Sequence, residues 1–124
     1  MIMLKKPTPE AEAPEKEPRY HPGQIVRHRR YGYRGVVVDF DLTCKAEEAW
    51  YQSNQTRPDR NQPWYHVLVD GSDVTTYAAQ TSLEADDNPA PITHPYLEHF
   101  FSGFTGERYV RNDRPWPSGD EAGE

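Results

Sequence analysis

The stretch Arg34-Gly-Val-Val-Val-Asp-Phe-Asp41 constrains this chain more than any other. Three consecutive valines carry β-branched side chains that resist helix and suit a pleated strand. Successive strand residues point to opposite faces, so a run that is apolar at every position must be covered on both. Such a strand belongs in the wall of a small barrel, packed inside and overlaid outside by another segment. Gly35 is expected to mark a bulge or sharp bend, the device that curls a sheet towards closure. Trp64 opens the strand expected to pair beside it.

The apolar content allows one core of this kind and no more. Leu, Ile, Val and Phe number 20 of 124 residues, a level at which disorder competes with folding. All 8 Tyr and 3 Trp lie between Tyr20 and Trp116, with 18 of those 20 residues. That places 29 large apolar or aromatic side chains in 97 residues, enough for one small domain stiffened by rings. Outside it, residues 1–19 interleave Pro7, Pro9, Pro14 and Pro18 with Glu10, Glu12, Glu15 and Glu17, and offer only Met1, Ile2, Met3 and Leu4 for burial. A disordered Pro/Glu-rich arm is expected there, whose removal should leave the melting temperature nearly unchanged. Residues 117–124 are expected to form a disordered tail. Between them, residues 20–86 read as the barrel and residues 87–116 as a C-terminal extension packing on it.

Local signals fill in the elements. A turn at Tyr20-His21-Pro22-Gly23 leads into a strand over Gln24–His28, and Tyr31-Gly32-Tyr33 marks a tight turn. Lys45–Gln52 predicts about two turns of inserted helix, followed by a polar loop over Ser53–Pro63. Trp64–Val69 and Val74–Ala79 read as a hairpin across Asp70-Gly-Ser-Asp73, and Thr81–Glu84 as the strand that completes the sheet. A short helix is expected from Thr93 or His94, with Pro95 in its first turn, through Phe101. The fold class is mainly β, a partly open small barrel with a short inserted helix and a C-terminal helical segment.

Several functions drop out. No window approaches 18 consecutive apolar residues, so no membrane span is expected. The apolar start is too short for a signal peptide and is broken by Pro7 and Pro9. The single Cys44 excludes a disulfide scaffold and a multi-cysteine zinc site, which reads as a cytoplasmic chain. Of His21, His28, His66, His94 and His99, only His94 and His99 lie close, at five-residue rather than four-residue spacing, so turn and partly buried roles are expected and no metal. Lys45 beside Cys44 favours a thiolate, yet no nucleophile signature surrounds it. Asp39 and Asp41 point to one side of a strand and are expected to meet a turn amide or an arginine. Phosphate-cradling glycine loops and dinucleotide fingerprints are absent. No cofactor and no enzymatic activity are expected.

What remains is binding. Formal net charge is -6, and a sequence-independent nucleic-acid binder is usually basic, so any such contact must come from a local patch. One exists: Arg27, His28, Arg29, Arg30, Tyr31 and Arg34, with Tyr33 among them. Arginine forks onto phosphate and tyrosine offers a stacking face. The same arginines would equally form a solvated strand face paired to Asp39, Asp41 or Glu84, and both readings stay open. Trp50, Tyr51, Trp64, Tyr65 and Tyr77 read as core, although an exposed subset would line a groove for a peptide or a base.

Two blocks carry a family likeness. Gly23-Gln24-x-Val26-Arg27-His28 with Gly32-Tyr33-x-Gly35-Val36-Val37-x-Asp39-x-Asp41, then Pro63-Trp64-Tyr65-His66-Val67 with Thr76-Tyr77-x-Ala79 and Leu83, resemble the HspQ/YccV-like family, the hemimethylated DNA-binding domain. The blocks fall in family order over about residues 20–84. The resemblance implies an SH3-like barrel without catalytic activity, in a bacterial heat-shock protein that binds DNA, preferentially hemimethylated. It also implies a stress or quality-control role through an ATP-dependent protease. The partners it brings are duplex DNA and such a protease or its substrates; a homo-oligomer is a further partner open to the chain. The proline-rich arm and the region after Asp86 depart from the family pattern.

Overall fold

β2 (Arg34–Asp41) is the spine of the molecule, and Val36, Val37 and Val38 along it are fully buried. The computed structural model describes residues 15–88 and 90–117, so the arm expected over 1–14 and the tail over 118–124 lie outside the described residues. On one side β2 pairs with β1 (Ile25–His28), on the other with β3 (Trp64–Val69), both antiparallel. β4 (Thr75–Ala79) pairs with β3 across the expected hairpin. A 3-10 turn over Gln80–Ser82 leads to β5 (Leu83–Ala85), which pairs with β1. The five-stranded order is β4-β3-β2-β1-β5, a curled antiparallel sheet that does not close. The molecule is mainly β, a partly open small barrel, as the sequence predicts.

Both faces of the sheet are covered. Val26, Val37, Tyr65, Val67, Ala78 and Leu83 pack with Tyr20 inside the curl. Ile25, Val36, Val38 and Leu68 face outwards onto Ile92, Phe100, Phe101 and Tyr109 of the C-terminal segment. That segment holds a single helical turn, α2 (Leu97–Phe100), and then a hairpin of β6 (Phe101–Phe104) and β7 (Tyr109–Arg111). The hairpin was not expected. Its strands are four and three residues long, too short to show alternation, and the helical reading of 93–101 ran over its first residue. The inserted helix α1 (Glu48–Ser53) is also shorter than expected and starts three residues later.

Gly35 needs a correction. The register between β2 and β3 shifts between Val37 and Asp39, so the bulge sits at Val38 and not at the glycine. Gly35 serves close packing instead: a Cβ there would run into the Leu68 carbonyl oxygen and come within 2.6 Å of Val67 Cγ1. The last residues of the expected arm are a second correction. The Arg19 amide donates to Tyr65 Oη at 3.0 Å and Gln80 Oε1 at 2.7 Å, while Gln80 Nε2 donates to the Glu17 carbonyl at 3.1 Å. Residues 15–19 therefore run along the sheet, anchored by the buried amide of Gln80.

Candidate functional site

The cationic cluster straddles β1, the loop Arg29–Tyr33 and the start of β2, and the fold pulls it apart. Strand alternation sends Val26 and His28 inwards and Arg27 outwards. Across β1 and β2, Arg27 lies opposite Arg34, an arrangement of like charges that needs carboxylates nearby. Asp86 supplies one, 3.1 Å from Arg34 Nε and 3.9 Å from Arg27 Nη2. Arg34 also contacts Asp70 at 3.0 Å and donates to the carbonyls of Asn88 and Ala90. Its side chain is 13% exposed, so the expectation that Arg34 belongs to a binding surface is corrected: it ties the β3–β4 turn to the segment after β5. Burial alone would raise the Asp86 carboxyl, but the Asn88 amide and then Arg34 outweigh it and hold it below the ordinary value.

His28 is buried as well, and its ring does structural work. Nδ1 accepts from the amides of Arg30 and Tyr31, each at 3.1 Å, so that nitrogen carries no proton. With the bonds from the His28 amide to the Tyr33 carbonyl and from the Gly32 amide to the His28 carbonyl, this fixes the loop, and Gly32 takes the φ of 78° that the tight turn requires. Burial, reinforced by the charge of Arg30, lowers the imidazole below its ordinary 6.5.

The loop thus held presents Arg29, Arg30 and Tyr31 to solvent. Arg29 reaches Glu84 at 3.3 Å, an exposed pair, and donates to the Leu83 carbonyl. Arg30 forms no ion pair among the described residues and lies 5.7 Å from the centre of the Tyr31 ring, which stacks on His28 at 4.7 Å. Of the six candidate residues, three form this tip, Arg27 flanks it on a carboxylate, His28 holds it from within, and Arg34 is engaged elsewhere in the fold.

Beside the tip runs a groove of about 350 Å³. Tyr31 and Tyr33 form one wall, and Trp50 with the loop after α1 forms the other. β4 lies between them. The Tyr33 hydroxyl shares a hydrogen bond with Thr76 Oγ1 at 2.8 Å, and the Tyr77 hydroxyl donates to Asp41 Oδ2 at 2.6 Å. Trp64 and Tyr65 are core, as expected, whereas Trp50 and Tyr77 are half-buried and face the groove. The list of aromatic residues was the one sequence signal for this feature, since pairing order alone decides which rings stay at an edge.

The remaining candidates take structural places. Asp41 meets the Tyr77 hydroxyl and, at 3.5 Å, His66, while Asp39 accepts from the Phe40 amide inside β2 rather than from the turn amide expected. Burial raises the Cys44 thiol, against the thiolate that neighbouring Lys45 would favour. Among the described residues, no three His, Cys, Asp or Glu side chains are grouped to hold a metal ion. No helix among them is long and apolar enough to cross a membrane.

A barrel that presents a cationic tip and an aromatic groove on one rim is built as a binding module. The family described as hemimethylated DNA-binding protein YccV-like matches residues 18–108, and this chain belongs to that family of DNA-binding modules. The match extends past residue 86, so the α2 turn and much of the hairpin, expected to depart from the family, lie within it. The chain is 40% identical over 97 residues to F-box only protein 21 of Homo sapiens, covering 75% of this chain and 15% of that protein. It is 37% identical over 106 residues to F-box only protein 21 of Mus musculus, covering 82% of this chain and 17% of that protein. The chain thus spans less than a fifth of the length of these relatives.

Proposed function

We propose that this chain is a non-catalytic module that binds duplex DNA through the Arg29–Tyr31 tip, with Arg27 at its flank. The observation that carries this reading is Arg30, a solvent-facing guanidinium with no carboxylate partner among the described residues, on a loop whose backbone is locked by His28. Arg29 adds a second cation, because an exposed pair such as Arg29–Glu84 is worth little and exchanges readily for phosphate. The family description supports DNA as the ligand, and a preference for hemimethylated duplex belongs to the same reading. Charge reversal at both Arg29 and Arg30 should lower affinity about tenfold or more on every duplex sequence, at an unchanged melting temperature. Unchanged affinity in that variant removes the tip as the DNA contact.

A second reading is a protein-binding role in stress or quality control, as an adaptor or modulator of an ATP-dependent protease. The net charge of -6, which repels phosphate over most of the surface, favours it. Retention of an ATP-dependent protease by the immobilised chain, lost on mutation of the groove and kept on reversal of Arg29 and Arg30, is the result expected of that role.

A further inference from the structure

β4 is an edge strand. It pairs with β3 and with no other strand among the described residues. The register settles which backbone groups face outwards. The Val69 amide bonds to the Val74 carbonyl and the Gln80 amide to the Pro63 carbonyl, so residues 74, 76, 78 and 80 turn backbone groups towards β3 and its flanks. Residues between them in an antiparallel ladder turn their N–H and C=O the other way, which places those of Thr75 and Tyr77 on the open edge. Exposed edges are usually blunted by charge, proline or a bulge, and Thr75–Ala79 has none of these.

The groove follows this edge. Its lining takes Thr76 and Ala78 from one face of β4 and Thr75 and Tyr77 from the other, so the edge itself is the floor. Tyr31 and Trp50 stand on opposite walls, and no Asp, Glu, Lys or Arg lines it. A polynucleotide laid here would find no cation for its phosphates. A second β4 edge from another copy would be recessed between its own walls and could not reach this one. A single extended polypeptide fits all of it: its backbone completes the ladder, and its alternate side chains meet the tyrosine wall and the tryptophan wall in turn.

We infer that the β4 edge is a docking site for an extended, uncharged segment of a partner protein, which adds as a further strand between Tyr31 and Trp50. The site borders the proposed DNA contact and shares Tyr31 with it, but it takes its backbone bonds from β4 and uses no arginine.

The test uses the full chain and a pool of N-acetylated, C-amidated decapeptides with Val, Thr, Tyr or Phe at alternate positions. Amide hydrogen exchange followed by NMR should slow at Thr75 and Tyr77 on addition of peptide and stay as it is at Thr76 and Ala78, which are already bonded to β3. N-methylation of alternate peptide residues, which removes one hydrogen-bonding edge, should weaken binding about tenfold or more. Thr75→Pro removes an outward N–H without touching the β3 ladder and should do the same at an unchanged melting temperature, with the duplex affinity kept. The inference is overturned if no peptide in the pool slows exchange at Thr75 and Tyr77, or if the N-methylated peptides bind as well as their parents. It is equally overturned if sedimentation shows the edge closed by a second copy, or if a single-stranded oligonucleotide, and not peptide, perturbs those amides.

Discussion

At the scale of single residues, Arg34 and Val37 reverse their apparent weights. In sequence Arg34 ends an arginine run and looks dispensable to the fold. In the structure it pairs with Asp70 and with Asp86, whose side chain is 5% exposed. Removing one partner of a pair so placed leaves a buried charge uncompensated, so Arg34→Ala should destabilise by roughly 3–5 kcal/mol in urea denaturation. Val37→Asp buries a charge among Tyr65, Val67 and Leu83 and should cost on the order of 5 kcal/mol, comparable to the whole stability of a small domain. A cost below about 1 kcal/mol for Arg34→Ala would show that Asp86 finds another partner. His28 gives a pH signature. Its folded-state pKa lies below the ordinary 6.5, so the unfolded chain takes the proton first. Its contribution is fully present above pH 6.5 and declines as pH falls through that value towards the folded-state pKa. His28→Gln should flatten the stability profile in that window, which denaturation at pH 7.5 and 5.5 will read.

At the scale of elements, the segment ahead of Tyr20 behaves as part of the sheet. Gln80 is buried with its carbonyl oxygen on the Arg19 amide and the Tyr65 hydroxyl, and its amide nitrogen on the carbonyls of Glu15 and Glu17. Deleting residues 1–19 strands the Gln80 amide in an apolar setting. A loss of roughly 1–3 kcal/mol is expected relative to a deletion ending at residue 14. Equal melting temperatures for the two truncations would place the anchor elsewhere. The β6–β7 hairpin plays the matching part on the outer face. Phe101 and Tyr109 cover Val36, Val38 and Leu68, and the Tyr109 hydroxyl accepts from the buried Ile92 amide at 2.7 Å. Gly23 fits against the same hairpin, because a Cβ there would collide with the Tyr109 carbonyl.

At the scale of the whole molecule, charge sets the limits of binding. Within the cluster, few arginines remain free to meet phosphate once Arg34 is engaged within the fold and Arg27 sits beside Asp86. With about two or three phosphate contacts, the logarithm of duplex affinity should fall against the logarithm of salt with a slope of roughly −2 to −3. A slope near −6 or steeper would bring in cations outside this cluster, such as the exposed Arg57, Arg108 and Arg114. The acidic remainder of the chain keeps that contact local to one rim of the barrel.

The sequence by itself determined the barrel and its spine. Three adjacent valines cannot be buried on one face alone, and Asp70-Gly-Ser-Asp73 between two apolar runs leaves little but a hairpin, so β2, β3 and β4 were legible from local chemistry. The cationic cluster was equally visible, as was the set of aromatic residues from which the groove is drawn. Tertiary structure alone decided what those residues do. Whether an arginine meets solvent or a carboxylate depends on Asp70 and Asp86, which lie 36 and 52 positions from Arg34 in the chain. Likewise, Thr75 and Tyr77 carry an open edge only because β5 closes on β1 and not on β4. Strand order is a long-range outcome, set by which apolar faces the C-terminal segment and the curl of the sheet leave to be covered, and no local pattern encodes it.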